Sequence, residues 1–132
     1  GKYMVSFGLY HPAMNVPPIG KQVAAEYTKR TKGEPNRLIF QAADSLLLVV
    51  EAIKQAKSTE PKAITKALQT MKFSGVRGPF QFGKEQGVGY QQWVDIPYVA
   101  FQLTDVNQAI SKSNLVQEPG QPLAVNKLQK PK

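Results

Sequence analysis

Tyr3, Val5, Phe7 and Leu9 alternate with Met4, Ser6 and Gly8 at the start of the chain. A period of two predicts a strand with those four side chains on one face. His11–Gly20 carries Pro12, Pro17 and Pro18 and reads as an irregular, extended connection. From Ile19 the period lengthens. Ile19, Val23 and Tyr27 share one stripe of a helix that runs to Lys32, with prolines ahead of its start and Gly33 suited to its cap. The strongest pattern covers Leu38–Lys57, where Ile39, Ala43, Leu46, Val50 and Ile53 form an apolar face. Leu47, Leu48, Val49 and Ala52 widen that face until it nearly closes. A helix so apolar is expected to be buried on more than one side, with Leu46, Leu47, Val50 and Ile53 in the core.

Ser58-Thr59-Glu60-Pro61 supplies a hydroxyl, an acid and a proline, a start signal for a third helix. That helix carries Ile64, Ala67, Leu68 and Met71 on one side. Gly75-Val76-Arg77-Gly78 ends it, and Pro79–Phe82 reads as a strand with both phenylalanines on one face. Gly83–Gly89 predicts a turn. Gln91–Asp95 and Tyr98–Leu103 are two more strand candidates, parted by Pro97. After Thr104 no aromatic residue occurs, and Gln, Asn, Ser, Pro and Lys dominate. Residues 104–132 are expected to be a loosely held polar tail, with Leu123–Val125 as a short strand at most.

At 132 residues the chain suits one domain rather than two. It lacks cysteine, so disulfides, thiolate metal sites and a cysteine nucleophile are excluded. The single His11 excludes a two-histidine metal site, and no cofactor is expected. The longest apolar run, Leu46–Val50, is far short of the about 20 residues that span a bilayer. No signal peptide follows Gly1. The net charge of +8 raises the alternative of a stand-alone basic interaction module that binds nucleic acid. Placement argues against it. Lys29, Arg30 and Lys32 cluster once, and most other cations are scattered, many beside Glu or Gln.

No nucleophile–base pair, calcium loop, Walker loop or dinucleotide fingerprint is present. Gly75–Gly78 has the spacing of an RNA-clamping GXXG loop, but that loop joins two helices and this one leads into a strand. His11 lies between Tyr10 and Pro12, where an imidazole without catalytic role is the expected state. Asp44 stands near the start of the most apolar helix. It reads either as an acid favoured by the helix dipole or as a carboxylate at the lip of a cleft.

The pieces AAEYTKRTKGEPN, IFQAADSLLLVVEAIKQAKST, PKAITKALQTM and FSGVRGPFQFG, in this order, resemble the C-terminal part of the leucine/isoleucine/valine-binding family. These are the type I substrate-binding proteins of ABC transporters. Tyr27, Gly33 and Pro35 match the family's Tyr-x-x-x-x-Gly-x-x-Pro pattern with the glycine one place late. Ala43-Asp44-Ser45 takes the place of its Tyr-Asp-Ala, and Ala52-Ile53-Lys54-Gln55-Ala56 ends the apolar helix. Gly75–Phe82 matches its Gly-x-x-Gly-x-x-x-Phe strand. Ala43 departs from the usual tyrosine, and Gly89–Leu103 is longer and more aromatic than the usual closing strands.

The resemblance covers about residues 3–103 and implies a Rossmann-like α/β lobe fragment of about three helices on a small mixed sheet. It further implies a two-lobed periplasmic or lipid-anchored extracellular protein, not an enzyme. Such a protein holds an amino acid, amide or aromatic acid between its lobes and delivers it to an ABC permease. The N-terminal lobe, absent from this chain, would supply most of the groups that grip the ligand. Open sheet edges left by that absence invite strand exchange or pairing into a homodimer. Tyr10 and His11 close the first strand and Asp44 starts the apolar helix, so all three are expected on the cleft-facing side.

Overall fold

The computed structural model describes residues 1–131. The chain begins with strand β1, Val5–Gly8, and three helices follow: α1, Pro18–Thr31; α2, Arg37–Ala56; and α3, Pro61–Thr70. Two short strands, β2 (Phe73–Ser74) and β3 (Pro79–Phe80), form a hairpin. Then come β4, Val99–Gln102, and β5, Asn114–Gln117. Three helices on a small sheet are what the resemblance implies. The larger sheet has the order β1-β4-β5 with both pairings antiparallel. Among the described residues the one parallel pairing is the isolated bridge between Gly83 and Tyr90.

Local chemistry accounts for the helix ends. Proline at the start of α1 and of α3 costs no helical hydrogen bond. The Asn36 side chain accepts the Leu38 N–H at 2.9 Å and caps α2. Lys32, not Gly33, takes the left-handed position after α1, with φ at 59°. Its N–H donates to the Thr28 carbonyl and satisfies the last turn.

The main core gathers Tyr10, Met14, Val16, Phe40, Val76, Val99 and Phe101 between the larger sheet and α2. A smaller cluster of Ala52, Ala67 and Met71 seals α2 against α3. The predicted core of α2 needs correction. Leu46 is 66% exposed and Val50 is exposed, while Leu47 and Ile53 are half-buried. The fully covered positions are Phe40, Asp44 and Ala52. One side of the helix faces α3 and the sheet; the other faces solvent, although it is apolar. The same holds for β1, whose alternation is correct but whose Val5 and Phe7 side is the exposed one.

Two further expectations change. Gln91–Asp95 forms no strand beyond an isolated bridge between Phe82 and Trp93. Gln91 and Asp95 both have positive φ, which breaks an extended run. The segment from Thr104 is not a loose tail. β5 completes the sheet, Val116 is buried on it, and the Ala124 N–H donates to the Val116 carbonyl. A short 3-10 turn occupies Val125–Lys127 in place of a strand. The polar composition misled here because β5 needs only one buried apolar side chain. At the far end the Gln102 side chain bonds the carbonyls of Tyr3 and Gln129, and its own oxygen accepts the Gln129 N–H.

Candidate functional site

β1 and α2 converge where β1 ends and α2 begins. There a cavity of about 620 Å³ opens. Phe7, Leu9, Tyr10, Leu38, Phe101 and Ile110 provide apolar walls, and Glu34 and Arg37 bring one charge of each sign. The volume suits a small ligand. Tyr10 is set by a stacked contact with Phe40, ring centroids 4.1 Å apart. Burial raises the Tyr10 hydroxyl above its usual pKa, and the nearby Glu34 carboxylate adds to the rise. That hydroxyl therefore stays protonated and can donate. The exposed Arg37 stands in the first turn of α2, where the helix dipole also favours an anion.

His11 follows Tyr10 but turns inward and is 1% exposed. Its Nδ1 accepts the Ala13 N–H at 3.1 Å, which places the ring proton on Nε2. Nε2 then donates to Ser113 Oγ at 3.0 Å, and that hydroxyl donates to the Ile110 carbonyl at 2.6 Å. The chain pins the end of β1 to the start of β5. Burial lowers the His11 pKa, opposed by the Ile110 backbone and by Glu118.

The sign of the pH effect follows. The unfolded chain takes up a proton near pH 6.5, the native imidazole only at lower pH. The unfolded state therefore binds more protons in that window, and the contribution present above about pH 6.5 is lost as pH falls. Urea midpoints measured at pH 7 and pH 5 should show this loss, and His11→Gln should reduce it. Equal losses in both proteins would remove His11 from the account.

Asp44 is buried in the second turn of α2. Its Oδ1 accepts the Val76 N–H at 2.6 Å and its Oδ2 accepts Arg77 Nε at 2.7 Å. The Arg77 side chain is 3% exposed. Gly75 permits the approach, because a Cβ there would collide with Asp44 Oδ1. A second cavity of about 390 Å³ borders this pair, walled by Phe80, Phe82 and Trp93.

The structure gives the three candidates different tasks, with Tyr10 and Asp44 at separate cavities. Tyr10 lines the larger cavity, His11 braces its rim from behind, and Asp44 ties α2 to the Gly75–Gly78 turn. Tyr10 and Asp44 connect through α2, because the Phe40 ring beneath Tyr10 lies one turn before Asp44. Glu34, Arg37 and Arg77 escaped the sequence reading. A signal for Arg77 existed: a lone cation in an apolar, glycine-flanked turn needs a buried acid. Asp44 is the one acid in the first half of α2. Among the described residues no group of three or more His, Cys, Asp or Glu side chains could hold a metal ion. No described helix is long and apolar enough to cross a membrane. Within the basic cluster, Arg30 pairs with Glu26 at 2.6 Å.

A family model described as periplasmic binding protein matches residues 1–96. Among solved structures, the chain is similar to an ABC-type branched-chain amino acid transporter from Rhodopseudomonas palustris. The TM-score is 0.70 at 24% identity, over 98% of this chain and 33% of that one. A solute binding protein of an ABC transporter from the same species, in complex with 3,4-dihydroxy benzoic acid, matches with a TM-score of 0.64. Identity there is 21%, over 80% of this chain and 28% of the other. A leucine binding protein from Thermotoga maritima matches with a TM-score of 0.66 at 17% identity, over 86% of this chain and 30% of that one. The chain therefore spans about a third of the length of the structures it matches.

Proposed function

This chain belongs to the periplasmic binding protein family, and on that premise we propose that it contributes one wall of a solute site in a two-lobed protein. The site would take an apolar amino acid or an aromatic acid. The observation that carries the reading is the open cavity beside Tyr10, where Glu34 and Arg37 stand among mainly apolar walls. A zwitterion with an apolar side chain needs one anion, one cation and a hydrophobic floor. An aromatic acid needs the cation, the floor and a donor such as the Tyr10 hydroxyl. Capture is binding without chemistry, outside the cytoplasmic membrane, followed by hand-over of the solute to an ABC permease. Closure over the ligand can be driven only as far as the ligand prefers the closed form.

A wall alone forms half of the contacts, so the chain by itself should bind leucine or benzoate no more tightly than about 10 µM, roughly −7 kcal/mol. At millimolar concentration the amide resonances of Gly8, Tyr10, Arg37 and Leu38 should shift, and Arg37→Gln should weaken that response. A site complete in this chain would reveal itself in calorimetry as tighter binding and would overturn the shared-wall reading. Shifts confined to other residues would overturn the location.

A further inference from the structure

The cavity between α2 and the β2–β3 hairpin is separate from the one beside Tyr10 and is built differently. Gln41, Asp44 and Ser45 project from one side of α2, and Arg77 and Trp93 face them. Phe80 packs against Trp93 at 4.4 Å and against Phe82 at 5.0 Å, edge to face, so the far wall is aromatic. Arg77 holds Asp44 through Nε, while its guanidinium carbon lies 4.6 Å from the Trp93 ring centre. Two donors here are buried without an acceptor: Arg77 Nη1 and Trp93 Nε1. Buried donors are almost always paired, and leaving them unpaired is costly. Two of them on neighbouring groups beside one cavity point to an acceptor brought by a ligand.

Charge selects its chemistry. Asp44 and Arg77 cancel, and among the described residues no other charged side chain lines the cavity. Both Asp44 oxygens already accept. A second carboxylate would be repelled by Asp44, and a cation would find no free partner. We propose that this cavity binds a small planar neutral carbonyl compound, of the aromatic amide class. Its oxygen accepts from Arg77 and Trp93 once the indole shifts to admit it. Its ring lies on the phenylalanine wall, and its amide N–H reaches Gln41 or Ser45. The volume of about 390 Å³ lies within the range of small-ligand sites.

The test uses the 132-residue chain and benzamide, with benzoate and benzylamine as comparators. Trp93 is the one tryptophan, so its indole N–H resonance reports directly. Benzamide should shift that resonance and the Ser45 and Arg77 amides, with a dissociation constant near 1 mM and at least tenfold weaker response to either comparator. Arg77→Met would strand the Asp44 carboxylate, so Trp93→Phe is the decisive variant: it keeps a ring and deletes the N–H. Read from the Ser45 and Arg77 amides, it should weaken benzamide about tenfold, the worth of one hydrogen bond. No shift at 10 mM benzamide overturns the proposal. So does an equal response to benzylamine or benzoate, an unchanged affinity in Trp93→Phe, or shifts at Tyr10 and Leu38 alone.

Discussion

Asp44→Ala is expected to lower the free energy of unfolding by about 3–5 kcal/mol, because it leaves the Arg77 guanidinium buried with no opposing charge. Arg77 has no route to water, with its side chain only 3% exposed. The Val76 N–H loses its acceptor as well, and Val76 is wholly buried. Each penalty alone is substantial, and they fall on the same turn. Denaturant unfolding of the two proteins measures the difference, given two-state behaviour. A double variant, Asp44→Ala with Arg77→Met, should recover part of the loss, because a buried pair replaced by apolar groups is often neutral. A loss below about 1 kcal/mol in the single variant would mean that the pair carries no such weight.

Phe40→Ala should cost a similar amount, about 3–5 kcal/mol, by a different route. The ring is wholly buried, stacks on Tyr10 and sits at the centre of the main core. Its removal opens a cavity that backbone from β1, α2 and the sheet cannot close. Leu46→Ala, on the same helix, should cost no more than about 0.5 kcal/mol, since Leu46 is exposed. The half-buried Leu47 should fall between them. Comparable losses at positions 40 and 46 would show that both sides of α2 are covered in solution. Tyr10 would also lose its backing in Phe40→Ala, so the response of Arg37 and Leu38 to leucine or benzoate should fall in parallel.

That contrast explains how the sequence informs the fold. Helices α1, α2 and α3 are legible because their signals are local: the apolar period of α2 and Pro61 at the start of α3 act over a few residues. The direction in which α2 turns its apolar surface is not local. Leu46 and Phe40 are equally apolar in sequence, and only the partner across the gap separates them. β5 was invisible for a related reason, since NLVQ carries two apolar residues and gains its strand state from β4. The site follows the same logic. Tyr10, His11 and Asp44 could be singled out as unusual residues at element ends. Their partners, Ser113 and Arg77, are 102 and 33 residues away in the chain, and no spacing rule connects them.

The pairing of β1 with β4 joins Val5 to Gln102. During synthesis β1 therefore stays without its neighbour while the residues between Val5 and Gln102 are made. At about 5–20 residues per second, that interval is roughly 5–20 s. The helices between them need no such delay, because their hydrogen bonds close over four residues. Through that interval the nascent chain carries the Val5–Gly8 segment unpaired, with Val5 and Phe7 as its apolar side chains. Chaperone recognition during that interval should therefore map to the residues around Val5–Gly8, and a stall placed before residue 99 should lengthen it.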